Sequence, residues 1–215
     1  SARCLDCAKP SCVKGCPVEI DIPGFIREIT KKNYDQAFAI LKENNPIPAV
    51  CGRVCPQEVQ CEGACVLGKK VEPVAIGRLE RFVADTIMQR GEDPEIPEIK
   101  PTGKKAAMVG SGPGSISCAG ELARHGINVT IFEAFHVPGG VLKYGIPDFR
   151  LPNPIIDKEL KALKEMGVDI EVNKLVGKIF TIDDLMKKKG FDAVFNAIVV
   201  CRKSFIITIR SASFS

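Results

Sequence analysis

The chain has 215 residues, 45% of them hydrophobic and 26% charged, with a formal net charge of +4. That length suits one large domain or two small ones, and that balance suits a globular protein. Few aromatics, none interleaved with basic residues, argue against nucleic-acid binding. The longest basic run, Lys187-Lys188-Lys189, reads as a solvated helix end where cations complement the dipole. No apolar run reaches the ~20 residues that a membrane helix needs, and no basic-then-apolar leader opens the sequence. The expectation is a cytoplasmic protein with no membrane partner. The opening at Ser1, without methionine and only three residues before Cys4, reads as a piece of a longer protein.

In chain order, Asp21 is a predicted N-cap for a helix opening near Pro23, with Phe25, Ile26 and Ile29 on one face. A second helix is predicted over Tyr34 to Glu43, ended by Pro46 and Pro48. After Pro73, Ile76, Leu79, Phe82, Val83 and Ile87 fall at helical spacing up to Arg90. No strand pattern interrupts this half. A stretch rich in proline and glycine follows and reads as a linker. Then the period changes. Lys105 to Val109 reads as a buried strand, Ser115 to Arg124 as a helix, and Asn128 to Glu133 as a second strand, a unit sized for a parallel crossover. Asn153-Pro154 caps and opens another helix, which Gly167 closes. Val168 to Val172 is a short strand, Thr181 and Asp184 form a capping pair, and Asp192 to Val200 is a final apolar strand. Alternation of this kind predicts an α/β architecture.

Of ten cysteines, all but Cys118 and Cys201 precede residue 66. The first group is Cys4-x2-Cys7-x4-Cys12-x3-Cys16-Pro17. The second gathers Cys51, Cys55 (followed by Pro56), Cys61 and Cys65. A cubane cluster needs four converging ligands, and three close thiolates on a loop supply most of that geometry. In two-cluster ferredoxins the cysteine before the proline serves the other cluster. That logic gives Cys4, Cys7 and Cys12 to one cluster and Cys16 to its neighbour, and the second group must supply the rest. Disulfides would suit a small secreted domain, which nothing here marks. Structural zinc favours repeated Cys-x2-Cys knuckles, often with histidine. Here there is one such pair, and His125 and His136 lie far along the chain.

After the first strand comes Gly110-Ser111-Gly112-Pro113-Gly114-Ser115. Glycines at the first two fingerprint positions allow a tight turn and a close backbone approach to a pyrophosphate seated on the helix N-terminus. Glu133 closes the second strand about 20 residues on, where a carboxylate can bind a ribose hydroxyl. Ser115 stands where the third glycine is expected, with Gly114 just before it.

These residues together resemble the small subunit of bacterial glutamate synthase. The family includes the large subunit of bifurcating ferredoxin:NADP oxidoreductase, sulfide dehydrogenases and the N-terminal part of dihydropyrimidine dehydrogenase. Two runs carry the resemblance: Cys51-Gly52-Arg53-Val54-Cys55-Pro56 through Cys65, and Pro138-Gly139-Gly140-Val141-Leu142-Lys143-Tyr144-Gly145-Ile146-Pro147. The resemblance implies an α-helical double [4Fe-4S] domain followed by a partial α/β Rossmann-like FAD-binding domain. The expected limits are 1–95 for the iron–sulfur domain, 96–103 for the linker, 104–200 for the flavin domain and 201–215 for an atypical tail. It implies that Cys4, Cys7, Cys12 and Cys65 hold one cluster. Cys16, Cys55 and Cys61 hold the other with a non-cysteine ligand, whose position Glu80 matches. Read on its own, Glu80 between Arg78 and Arg81 equally fits a surface ion pair, and Cys51 is the alternative ligand. For the flavin, the resemblance carries Gly110, Gly112, Glu133, Gly139, Gly140, Leu142 and Arg150 as contacts.

The implied role is passage of electrons from FAD through two [4Fe-4S] clusters to a large catalytic subunit or a ferredoxin-type partner. Two departures limit it. Ile198 and Val199 stand where the family has Thr-Gly, and residues 201–215 match nothing in the family. NADP(H), used by the full-length family, is therefore not expected to bind this chain. Phe205, Ile206, Ile207 and Ile209 in the tail read as an aggregation hazard. Two rivals stand beside this reading: a non-enzymatic docking module stapled by zinc, and a chain whose flavin half is vestigial.

Overall fold

The computed structural model describes residues 1–91 and 99–197, together with the backbone of 206–209. Two units divide the chain, Ser1–Glu95 and Ile96–Ser215.

In the first unit, Asp21 starts a helix by accepting a hydrogen bond from the Gly24 N–H at 3.0 Å, filling one of the orphan donors of a helix start. The helices are α1 (Ser11–Gly15), α2 (Ile22–Thr30), α3 (Tyr34–Asn44), α4 (Pro48–Val54) and α5 (Ile76–Arg90), with 3₁₀ turns at Gln57–Val59 and Val66–Lys69. No strand occurs among the described residues of this unit. Pro48, expected only to end a helix, opens α4; at the first turn its fixed φ and missing N–H cost nothing. Ile22, Phe25, Ile26 and Ile29 of α2 join Phe38 and Leu41 of α3, and Val83, Ala84 and Ile87 of α5, in the buried set. Phe82 was expected on that face; it is 46% exposed and instead meets the Tyr34 ring edge-on at 5.5 Å.

Helices α4 and α5 meet in close contact. A Cβ at Gly52 would lie 2.7 Å from the Arg81 nitrogen. Only glycine lets these two helix backbones approach so nearly. One residue on, the buried Arg53 guanidinium grips both carboxylate oxygens of Asp85 at 2.6 and 2.8 Å. The run Gly52-Arg53 thus draws α4 onto α5 and locks it there, and Cys51 and Cys55 travel with it.

The second unit is a five-stranded sheet in the order β3-β2-β1-β4-β5. Its strands are β1 (Lys105–Val109), β2 (Asn128–Phe132), β3 (Asp169–Glu171), β4 (Ala193–Asn196) and β5 (Ile206–Ile209). The first four run parallel, and β5 adds an antiparallel edge to β4. The helices are α6 (Pro113–Arg124), α7 (Val141–Tyr144), α8 (Asn153–Glu165) and α9 (Ile182–Lys187). β1 is buried from Ala106 to Val109, as a central parallel strand covered on both faces must be. Phe132 of β2 stacks edge-on with Phe180 and Phe191 over Leu185, Met186 and Val194.

Several expectations change here. The N-cap of α8 is Pro152, not Asn153, because Asp148 Oδ1 already accepts from the Asn153 backbone and side-chain amides. The Thr181–Asp184 capping box is present. Of the basic run, Lys188 pairs with Asp184, but Lys189 lies over the Phe180 and Phe132 rings at 4.6 and 5.0 Å, so it is not simply solvated. The tail contributes β5 to the sheet; residues 96–98 of the linker, Ile198, Val199 and Phe205 lie outside the described residues.

Candidate cluster pockets and nucleotide turn

Cys4 and Cys7 precede α1, Cys12 lies in its first turn, and Cys65 caps the 3₁₀ turn at Val66–Lys69. All four line one cavity, walled by Ile22, Pro23 and Ile26 of α2 and by Val74 and Ile76. Ser11 Oγ donates to the Ala64 carbonyl, which ties the first cysteine group to the second. Burial pushes the Cys12 thiol up, and the neighbouring Cys65 and Cys4 sulfurs add to the shift. Four cysteines line one largely apolar hollow, so negative charge there calls for a compensating cation.

The other ligand candidates meet beside the α4–α5 junction. Cys16 ends α1, Cys55 ends α4, Cys61 is buried in the loop after it, and Glu80 lies in α5. Burial pushes the Cys61 thiol up to about 12, with the charges of Cys16, Glu62 and Glu80 contributing. Burial, then the Cys55 charge, pushes the Glu80 carboxyl up to about 8. The contact between Cys51 and Cys55 raises the Cys51 thiol and lowers that of Cys55. Glu80 is 6% exposed, so the surface ion-pair reading fails. Arg81 pairs instead with Asp85.

Among the described residues, no three His, Cys, Asp or Glu side chains converge closely enough to hold one metal. A tetrahedral zinc, with bonds of about 2.3 Å, draws its thiolates to within about 4 Å of each other.

In the second unit, Gly110 turns the chain after β1 with φ +90°. Ser111 donates to Glu133 Oε2 from its N–H at 2.9 Å and from its hydroxyl. The Gly139 N–H in turn donates to the Ser111 hydroxyl at 2.8 Å, and the Phe135 N–H to Glu133 Oε1 at 2.9 Å. Glu133, 4% exposed, therefore buckles the glycine turn, the end of β2 and the Gly139 loop into one unit. Gly140 has φ +52°, and a Cβ there would sit 2.9 Å from the Gly112 Cα. At Gly112 the reverse holds: an added Cβ would meet nothing within 4 Å. That opening, at the N-terminus of α6, is where a diphosphate can approach free backbone donors. Gly114 is half-buried in the first turn of α6, Leu142 is buried in α7, and Arg150 is exposed in the following turn.

Ser115, the departure from the glycine fingerprint, is fully buried, and its hydroxyl has no hydrogen-bond partner. A buried unpaired hydroxyl costs about 1–3 kcal/mol. Ser115→Ala is expected to stabilise the nucleotide-free chain by about 1 kcal/mol. Urea unfolding checks this, and a midpoint that does not rise contradicts it.

Two side chains that shape the cluster region were not singled out from sequence: Asn45, hydrogen-bonded to Glu80 at 2.7 Å, and Arg53.

Comparison with known proteins gives two family matches. Residues 1–92 match the family described as dihydropyrimidine dehydrogenase domain II, 4Fe-4S cluster. Residues 108–178 match the NAD(P)-binding Rossmann-like domain. The glutamate synthase [NADPH] small chain of Escherichia coli (strain K12) is 36% identical over 90% of this chain and 40% of its own length. The NAD-dependent dihydropyrimidine dehydrogenase subunit PreT of Escherichia coli O157:H7 is 40% identical over 86% of this chain and 45% of its own. The NADP(+)-dependent formate dehydrogenase subunit beta of Moorella thermoacetica is 39% identical over 86% of this chain and 29% of its own. The chain thus spans less than half the length of these relatives. The zinc-stapled module finds no support in these matches. No helix among the described residues is long and apolar enough to cross a membrane. The chain is a relative of these oxidoreductase subunits across both units, a 4Fe-4S domain followed by a Rossmann-like dinucleotide-binding domain.

Proposed function

We propose that this chain is the electron-transfer part of an iron–sulfur flavoprotein oxidoreductase of the glutamate synthase small-subunit type. The observation that carries the reading is the interlocking of the thiolates. Cys4, Cys7 and Cys12 of the first group share a cavity with Cys65 of the second. Cys16 of the first group acts electrostatically on Cys61 of the second, beside Cys55 and Glu80. Two [4Fe-4S] clusters are assigned to these two sets, with Glu80 as the fourth ligand of the second. Each cysteine group then serves both clusters, which holds the two within one helical unit.

Glu80 fits a ligand role on energetic grounds. A carboxyl pushed up to about 8 by burial is costly to ionise there without a cation, and an iron centre supplies one. The apolar wall of Ile22, Pro23 and Ile26 keeps water from the first set, and low water access is one lever on cluster potential.

The dinucleotide at the Gly110–Ser115 turn is assigned as FAD, on the resemblance of the Pro138–Pro147 run. Support comes from the opening at Gly112 and the α6 N-terminus, where backbone donors would hold the diphosphate. When bound, a flavin accepts electrons in pairs and releases them singly, which suits carriers that hold one at a time. The family matched over residues 108–178 is described as NAD(P)-binding, and the choice of FAD over NADP(H) rests on the Pro138–Pro147 resemblance. The partner is a large catalytic subunit or a ferredoxin-type protein; the relatives named as small chain or subunit support this. Action in the cytoplasm is inferred from the assignment of cysteines to metal clusters rather than to disulfides.

The test is cofactor content. Anaerobically reconstituted chain is expected to hold about eight iron and about eight sulfide per chain, to lose visible absorption with dithionite, and to release FAD on denaturation. A colourless chain that binds zinc overturns the reading.

A further inference from the structure

The second ligand set holds one side chain too many. Cys16, Cys55, Cys61, Glu80 and Cys51 act on one another electrostatically or by hydrogen bonds, whereas a cubane takes four protein ligands. Asn45 touches both contenders for the last place. It is 3% exposed and lies just past α3. Its Nδ2 donates to Glu80 Oε1 at 2.7 Å, while its Oδ1 accepts from Cys51 Sγ at 3.4 Å and from the Ile47 N–H at 3.2 Å.

The Ile47 N–H settles the orientation of this amide. A backbone N–H can only donate, so the oxygen must face it, and a flipped amide would set donor against donor. The NH₂ is therefore left for Glu80, and the oxygen for Cys51. The bond to Oε1 holds the carboxylate in place, and the other oxygen, Oε2, is assigned as the ligating atom. The bond from Cys51 anchors that sulfur at Asn45. One amide treats the two candidates oppositely, and the α4–α5 approach at Gly52 keeps both in reach. Hydrogen bonds of this kind to ligating carboxylates orient the ligands of metal sites generally.

We propose that Asn45 is the positioning residue that selects the fourth ligand of the second cluster, presenting Glu80 and withholding Cys51. The inference rests on the cluster assignment above and goes beyond it. Cys51 is a reserve ligand, kept out while Asn45 is in place.

The experiment uses anaerobically reconstituted full chain carrying Asn45→Leu, Cys51→Ser, or both, with iron content, EPR spectrum and midpoint potentials as readouts. Asn45→Leu keeps the side-chain size and removes both bonds. Cys51→Ser alone is expected to keep about eight iron per chain and the wild-type spectrum. Asn45→Leu is expected to keep the iron but shift the EPR signal and the potential of the second cluster, as a thiolate replaces the carboxylate. The double variant is expected to fall to about four iron per chain. The cluster at Cys4, Cys7, Cys12 and Cys65 reports in each variant that the chain has folded. The inference is overturned if Asn45→Leu leaves spectrum and potential unchanged, if it loses the second cluster by itself, or if Cys51→Ser alone loses iron. Should Asn45→Leu fail to fold, Asn45→Asp sets an acceptor against Glu80 and is judged by the same shift. A wild-type chain with fewer than two clusters removes the assignment itself, and that result is read without any variant.

Discussion

Cys65→Ser is expected to halve the iron of the reconstituted chain, from about eight to about four atoms, and to spare the second cluster. Cys65 lies only four residues from Cys61, so a loop that served one cluster would lose both sulfurs together. The structure separates them. Cys65 faces the cavity with Cys4, Cys7 and Cys12, and Cys61 feels the charge of Cys16. Cys61→Ser should therefore remove the opposite cluster and leave the first intact. Stability should fall in both variants, because a helical unit of about ninety residues gains much of its folding energy from bound metal when its core is small. The fall should be larger for Cys65→Ser, whose cluster bridges the residues before α1 to the loop before α5. Iron and sulfide analysis with EPR of both variants decides the matter. If each variant loses all of its iron, or both lose the same cluster, the interlocked arrangement is wrong.

The cysteine pattern and the glycine turn were legible because their chemistry is local. Spacing marks the two cysteine groups as cluster ligands but does not divide Cys61 from Cys65, and a strand–turn–helix marks where a diphosphate can sit. Glu80 was legible too, by a signal that the flanking charges hid. It falls four residues after Ile76, three before Val83 and seven before Ile87, on the buried stripe of α5. Arg78 and Arg81 lie off that stripe and are exposed. Periodicity, not neighbour charge, identifies a buried carboxylate on a helix. Asn45 carried no such signal, since its partner Glu80 lies 35 residues on. Helix α4 was hidden for another reason: Pro46 and Pro48 read as breakers, and whether a proline ends one helix or begins the next depends on what the following residues pack against. For Gly52 that is the backbone of Arg81.

Glu133→Ala is expected to unfold the nucleotide site as well as weaken it, lowering the stability of the second unit by roughly 3–5 kcal/mol. The reason lies in what the carboxylate holds. Three donors, the Ser111 N–H, the Ser111 hydroxyl and the Phe135 N–H, end on it, and Ser111 passes the link to Gly139. Each buried donor left without an acceptor costs about 1–3 kcal/mol. The residues that crowd Gly140 onto Gly112 would lose their tie, and FAD affinity should fall on the order of 100-fold, about 2.7 kcal/mol. A carboxylate that only met a ribose would behave differently, costing affinity while leaving the nucleotide-free protein as stable as before. Ser111→Ala separates the two roles, because it cuts the link to Gly139 and leaves Glu133 in place. If the carboxylate works through the turn, Ser111→Ala should lose about tenfold in affinity, about 1.4 kcal/mol, together with part of the stability. Flavin fluorescence titration and urea unfolding of the two variants measure both quantities. Glu133→Ala with weak binding but unchanged stability would return the carboxylate to the ribose alone.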